Sequence, residues 1–203
     1  MVRLSRDIIE LRFSGKEESM STRYREKSCL KIRISMTTYQ IEGPWRGRLA
    51  IEPRPRGEDW LADEALAWKN EGFDVVVSLL TAEEMRDLGL TDEANLTRSH
   101  GLQFYGFQIP DLGVPSSMAV AQEFLERLIR ELAAGKNIAV HCRQGIGRSG
   151  LLAASLLSLS GIDPDTAFQR VSTARGLPVP ETSEQKRWVT RLAEEFAAPT
   201  ARS

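Results

Sequence analysis

The chain has 203 residues and a mass of 22.7 kDa, with 41% hydrophobic residues, 27% charged residues and a mean hydropathy of −0.29. That composition fits a soluble globular chain with enough apolar side chains for one core, and it excludes a wholly disordered polymer. Twenty-seven Lys and Arg against 28 Asp and Glu leave a formal charge of −1, so there is no global electrostatic argument for nucleic acid or an anionic membrane as partner, and no apolar run approaches the roughly 20 residues that span a bilayer.

The first 35 residues differ from the rest. They carry nine Lys or Arg and five acids, a charge of +4 that leaves −5 for the remainder, and their apolar residues keep neither a helical nor a strand period. Residues 1–35 are expected to be a basic, loosely ordered extension, or upstream sequence if Met36 is the initiator, and residues 36–203 a single domain. Met1 to Glu10 is interrupted by Arg3, Arg6, Asp7 and Glu10, unlike the apolar centre of a secretory signal. Cys29 and Cys142 cannot form a disulfide framework. They fit a reducing cytoplasm, where a lone Cys is packing or chemistry.

Arg48 to Ile51 is the first strand candidate, and Pro53 and Pro55 force a turn after it. Glu58 to Asn70 reads as a helix, with Trp60, Leu61, Ala65 and Trp68 at helical spacing and Gly72 as its stop. Phe73 to Leu80 is a β-branched, near-continuous apolar run, the signature of a buried strand. Thr81-Ala-Glu-Glu84 is a capping box opening a short helix. Gln103 to Ile109 reads as a strand, Pro110 to Ser116 as a loop, and Ser117 to Ala134 as an amphipathic helix ended by Gly135. Asn137 to His141 is a short apolar strand. Arg148 to Ser160 is apolar nearly all round, hence a central helix. Asp163-Pro164 starts another helix, ending near Arg175-Gly176, and Thr182 or Ser183 caps a last one running to about Ala197. Strands alternating with helices predict an α/β fold around a central, mostly parallel twisted sheet. The four tryptophans, Trp45, Trp60, Trp68 and Trp188, are expected to serve packing, and His100 a turn.

One stretch carries chemistry: Ile138-Ala-Val-His-Cys-Arg-Gln-Gly-Ile-Gly-Arg-Ser-Gly150. An apolar strand ends at His141, a glycine-containing loop follows, and a helix opens on its far side. Such a turn aims several backbone N–H groups and the positive end of a helix dipole at one spot, which will hold an anion. Cys142 starts the loop, where those donors and Arg148 draw its thiol toward thiolate, a strong nucleophile. Arg148 can grip two oxygens of a tetrahedral oxyanion with its planar fork. Gly145 and Gly147 let the backbone turn inward. Ser149 places a hydroxyl near the sulfur, a donor for a departing thiolate. Arg143, Gln144, Gly145, Ile146 and Gly147, with Arg148, form the expected oxyanion-binding turn. Taken alone, Cys142 would be read as an inert core thiol.

His141-Cys142-x5-Arg148-Ser149 resembles the signature loop of the cysteine-dependent protein tyrosine phosphatases, in their compact, dual-specificity-like branch. The resemblance covers about residues 40 to 197, although only the loop is highly specific. It implies a protein tyrosine phosphatase-like fold and a two-step reaction: Cys142 forms a phosphocysteine, Arg148 and the loop amides hold the phosphoryl oxygens, and water releases phosphate without a metal or other cofactor. It further implies that His141 is structural and tunes the thiol. Leaving-group protonation requires an acid, and Asp111, 31 residues before the nucleophile in the loop after a predicted strand, matches the place of the family's mobile acid. Here Ile109 precedes Pro110-Asp111, where the family often has Trp. Pro180-Glu-Thr-Ser-Glu-Gln185 resembles the late loop whose Gln places the hydrolytic water; the alternative for Gln185 is a solvated first-turn residue.

The expected substrate is a phosphorylated protein, with phosphotyrosine first and phosphoserine or phosphothreonine allowed by a shallow pocket, or a small phosphate ester. A phosphoinositide is less favoured, because Arg143 is the one added cation in the loop. A rhodanese-like sulfurtransferase and a catalytically silent phosphoresidue-binding module remain as alternatives. No nucleic acid, membrane or metal is expected, and Cys29 is not favoured as a disulfide partner for an oxidised Cys142.

Overall fold

The computed structural model describes residues 38–196. The basic extension, with Cys29 and Met36, lies outside the described residues, as do residues 197–203.

Five strands form one sheet in the order β1-β2-β5-β3-β4. These are β1 Tyr39–Ile41, β2 Leu49–Glu52, β3 Val75–Ser78, β4 Gln103–Gly106 and β5 Ile138–His141. The edge pair β1–β2 is antiparallel and the other pairings are parallel, so the fold is the expected α/β arrangement. Strands β2, β3 and β5 are buried along their whole length, which is why they read as apolar runs without alternation. At three residues, β1 is too short to leave a period in the sequence.

The sheet separates two cores. Leu49, Ile51, Val75, Val77, Ile138 and Val140 face α4 (Met118–Ala133), α5 (Gly147–Leu159), α6 (Pro164–Arg175) and α7 (Ser183–Phe196). Ala50, Val76 and Ala139 face α1 (Leu61–Asn70), including Ala65 and Trp68, together with Phe73, Leu102 and Phe104. Each fully buried Leu, Ile or Val stabilises the fold by about 1.5–3 kcal/mol. Helix α5 is buried from Gly147 through Ser158, and this central position explains its all-round apolar pattern.

The caps follow the sequence. Thr81 and Glu84 close the capping box of α2 (Ala82–Asp87), Ser117 caps α4, and Asp163 caps α6 ahead of Pro164. Thr182 Oγ1 accepts from the Gln185 amide at 3.2 Å. Gly176 ends α6 with φ +69°, the left-handed conformation that glycine adopts without steric cost.

Three expectations need correction. The helix expected from Glu58 begins with a separate turn of 3-10 helix, because Glu58 has φ +54°, and α1 proper starts at Leu61. Trp60 is not core: it is 49% exposed, with the Arg56 guanidinium 4.3 Å over its ring. A helix missing from the sequence reading, α3, spans Glu93–Ser99. Its buried residues are Glu93 and Thr97, so its inward face is polar and gives no apolar period.

Strands β2, β5 and β3 end at Glu52, His141 and Ser78, neighbours in register. The loops that leave these carboxyl ends build the crevice where α/β sheets place their ligands.

Candidate active site

Strand β5 delivers Cys142 to the loop that enters α5. Gly145 has φ +66°, and its amide donates to Cys142 Sγ at 3.3 Å. A Cβ on Gly145 would lie 2.7 Å from the Glu52 carbonyl oxygen, so this inward turn has room only for glycine. Burial pushes the Cys142 thiol up. The Ser149 hydroxyl and amide, the Arg148 charge and the Ile146 amide together pull it further down, to a net value below the ordinary thiol range. Ser149 Oγ is buried with no hydrogen-bond partner among the described residues, so its proton is free to turn to the sulfur.

Arg148 is 2% exposed. Its Nη1 and Nη2 donate to the two Glu84 carboxylate oxygens at 2.6 and 2.9 Å. Nη1 also donates to the Ile109 carbonyl at 3.1 Å, and Nη2 lies 2.9 Å from Asp111 Oδ1. Three of the five guanidinium N–H groups thus donate hydrogen bonds to protein acceptors, and Asp111 adds an ion pair at Nη2. Desolvation alone would lower the guanidinium's affinity for its proton, but Glu84, Cys142 and Asp111 outweigh it. Glu84 is the functional residue that the sequence reading missed. Its capping-box role holds, since it accepts from the Thr81 amide at 3.0 Å, and the same carboxylate also clamps Arg148. Desolvation pushes the Glu84 carboxyl up, and bonds from Arg148 and Thr81 bring it below the usual carboxylate range.

The structure brings Asp111 to the guanidinium, with its side chain 59% exposed. It brings Gln185 to the same loop. This residue is fully buried rather than solvated: its Nε2 donates to the Gly113 carbonyl at 3.1 Å and its Oε1 accepts from the Glu181 amide at 3.2 Å. Gln185 thereby ties the Asp111 loop to the late loop. Glu181 lies over Gly147, where its carboxylate would meet any Cβ. Ile146 is half-buried. Arg143 and Gln144 are exposed, and the Gln144 carbonyl accepts from Arg175 at 3.4 Å. His141 is buried behind the loop, with Nε2 2.6 Å from Glu93 Oε1. Cys142 is 3% exposed rather than open to a bound phosphoryl group as expected, and the Ile109 carbonyl and Asp111 carboxylate both contact the guanidinium beside it. Among the described residues no cluster of His, Cys, Asp or Glu is placed to hold a metal ion, and no helix is long and apolar enough to cross a membrane.

A family model described as "Tc-R-P: Polymorphic toxin system, DSP-PTPase phosphatase" matches residues 53–162. The chain belongs to this family of cysteine-dependent protein tyrosine phosphatases. The matched span contains Glu84, Glu93, Asp111 and the whole loop from His141 to Ser149; Gln185 lies beyond it. Cyclin-dependent kinase inhibitor 3 of Mus musculus is 28% identical to this DSP-PTPase chain over 131 residues, 64% of the chain and 62% of the relative. The chain thus spans less than two thirds of that relative's length. Among solved structures, a kinase associated phosphatase with its catalytic-site cysteine substituted by serine superposes with a TM-score of 0.72 at 20% identity, covering 80% of this chain and 97% of that one. Tk-PTP in its active form gives 0.63 at 28% identity, covering 77% and 96%. Both share the DSP-PTPase fold.

Proposed function

We propose that this chain is a metal-independent phosphatase that hydrolyses phosphate monoesters through a phosphocysteine at Cys142. The observation that carries the reading is the buried sulfur that accepts from the Gly145 amide at 3.3 Å in the same loop as the buried Arg148.

A phosphate binds by taking the oxygen position that Asp111 now fills at Nη2, together with Nε and the loop amides. Asp111 swings off the guanidinium and toward the leaving oxygen. The Cys142 thiolate then attacks phosphorus, a P–S bond forms as the ester P–O bond breaks, and protonated Asp111 gives its proton to the departing oxygen. Arg148 and the amides stabilise the charge that shifts onto the equatorial oxygens. In the second step water attacks phosphorus, the Asp111 carboxylate accepts the water proton, and the P–S bond breaks. Ser149 donates to the sulfur as it leaves. For Gln185 to orient this water, its amide must exchange the Gly113 carbonyl for the water.

The substrate that best fits is a phosphorylated protein, phosphotyrosine first and phosphoserine or phosphothreonine after it. One kinase-linked lineage is among the similar proteins, and the loop offers no Lys for additional phosphates. A reducing cytoplasm, where the thiolate persists, is the fitting compartment. Turnover of p-nitrophenyl phosphate in chelator tests the reaction, and a panel of phosphopeptides and phosphoinositides tests the substrate. Wild type is expected to turn over and Cys142→Ser to be inactive. Turnover that persists in Cys142→Ser overturns the reading, and thiosulfate turnover in its place would support a sulfurtransferase.

A further inference from the structure

A second group of buried ionisable side chains lies behind the loop, and the reaction above does not use it. His141 and Glu93 are 1% and 0% exposed, with Nε2 and Oε1 2.6 Å apart. The other ring nitrogen, Nδ1, lies 3.4 Å from the Cys142 carbonyl oxygen. Each nitrogen thus faces an oxygen, and a carbonyl oxygen can only accept. A neutral imidazole has a single N–H and serves one such oxygen; the imidazolium serves both. The ring is held in place by Trp68, stacked on it at 5.9 Å with planes 19° apart. Glu93 is the first residue of α3 and the one charged side chain that this helix buries. An isolated buried carboxylate is costly, so its placement needs a cation beside it.

We propose that Glu93 is a positioning residue for the nucleophile: its carboxylate keeps the His141 imidazole cationic behind the loop, and that cation stabilises the Cys142 thiolate. The inference rests on the reading of Cys142 as the nucleophile. The ring meets the Cys142 carbonyl through Nδ1 and Glu93 through the opposite nitrogen, Nε2, so the cation stands between the carboxylate and the loop. The other groups around the ring fit this assignment. Glu52 is the β2 register partner of His141, but its oxygens go to Trp68 Nε1 at 2.7 Å and Thr38 Oγ1 at 3.0 Å. Burial and the nearby Glu71 push the Glu52 carboxyl up. Ser78, the β3 partner, and Thr97, one turn after Glu93 on α3, are neutral hydroxyls. Arg148 has its charge matched by Glu84 and Asp111. Burial lowers the His141 proton affinity, but Glu93, the Cys142 carbonyl and the thiolate raise it by more.

The test is the pH dependence of Cys142 alkylation by neutral iodoacetamide, which needs no phosphatase turnover. Wild-type thiol is expected to react well below the ordinary thiol pKa of about 8.5. In Glu93→Gln, which keeps shape and one hydrogen bond, the midpoint is expected to rise by about one pH unit; Glu93→Asp restores most of the shift. A lowered melting temperature with an unmoved midpoint in Glu93→Gln assigns Glu93 a structural role only and overturns the proposal. A wild-type thiol that titrates as an ordinary one overturns the reading of the site itself. Should the variants fail to fold, imidazole nitrogen NMR of the wild-type protein decides. Two protonated ring nitrogens at neutral pH are expected, and a neutral ring contradicts the proposal.

Discussion

Glu84 and Arg148 meet as a parallel fork, Oε2 on Nη1 at 2.6 Å and Oε1 on Nη2 at 2.9 Å, joining the first turn of α2 to the first turn of α5. The fork orients the guanidinium edge that faces the loop and compensates its burial. Glu84→Gln keeps an acceptor for the Thr81 amide but loses the charge, whereas Glu84→Ala loses both. Both are expected to lower kcat/KM, by roughly 10-fold and 100-fold respectively, or about 1.4 and 2.7 kcal/mol. Steady-state kinetics with a small aryl phosphate measures this. Full activity in Glu84→Ala would show that Arg148 needs no clamp. Because the Glu84 carboxyl sits below its unfolded value near 4.5, the pair's contribution to stability is present above that pH and is lost as pH falls through the folded-state value.

Asp111 and an incoming phosphate compete for Nη2. Asp111→Asn is therefore expected to slow turnover by about 10²–10³-fold, by removing the acid, while binding vanadate at least as tightly as wild type. The loss of rate at alkaline pH should also flatten. Unchanged turnover in this variant means that another group protonates the leaving oxygen.

Arg148→Lys keeps the charge but gives up the planar fork. It can serve only part of what Glu84, Asp111 and Ile109 now receive, and a loss of about 10²–10³-fold in kcat/KM is expected. Near-wild-type kinetics would mean that a point charge suffices.

Gly145→Ala combines a left-handed backbone with a Cβ 2.7 Å from the Glu52 carbonyl, and an expected stability cost of about 1–3 kcal/mol follows. Because the Gly145 amide is a donor to the sulfur, the alkylation midpoint should also rise. Gly161→Ala is the control: its φ is +93°, nothing lies within 4 Å of its Cβ, and only stability should change. Equal alkylation profiles for the two variants would sever the Gly145 amide from thiolate stabilisation.

The parts legible in the sequence are those that leave a period or a steric requirement. Strands β3 and β5, helices α4 and α5 and the loop from His141 to Ser149 all do so. Asp111 stands out only through the resemblance of its loop to the family's acid loop, since a Pro-Asp-x-Gly stretch by itself reads as a turn. The remainder is tertiary. Glu84 carries a local signal, the capping box, that accounts for it completely, so nothing in the chain announces its second bond to a residue 64 positions away. Helix α3 hides because it buries Glu93 and Thr97, and Glu93 finds its partner 48 positions on. Burial of polar groups has no sequence period. The contact of Asp111 with Arg148 is likewise a property of packed loops.

Rapid quench of the wild-type protein mixed with an aryl phosphate, followed by mass analysis of its peptides, tests the central claim most directly. The account predicts one phosphoryl group on the peptide containing Cys142, formed within a turnover, and no adduct or turnover in Cys142→Ser. Sustained hydrolysis by a chain that never carries phosphate on that peptide would contradict it.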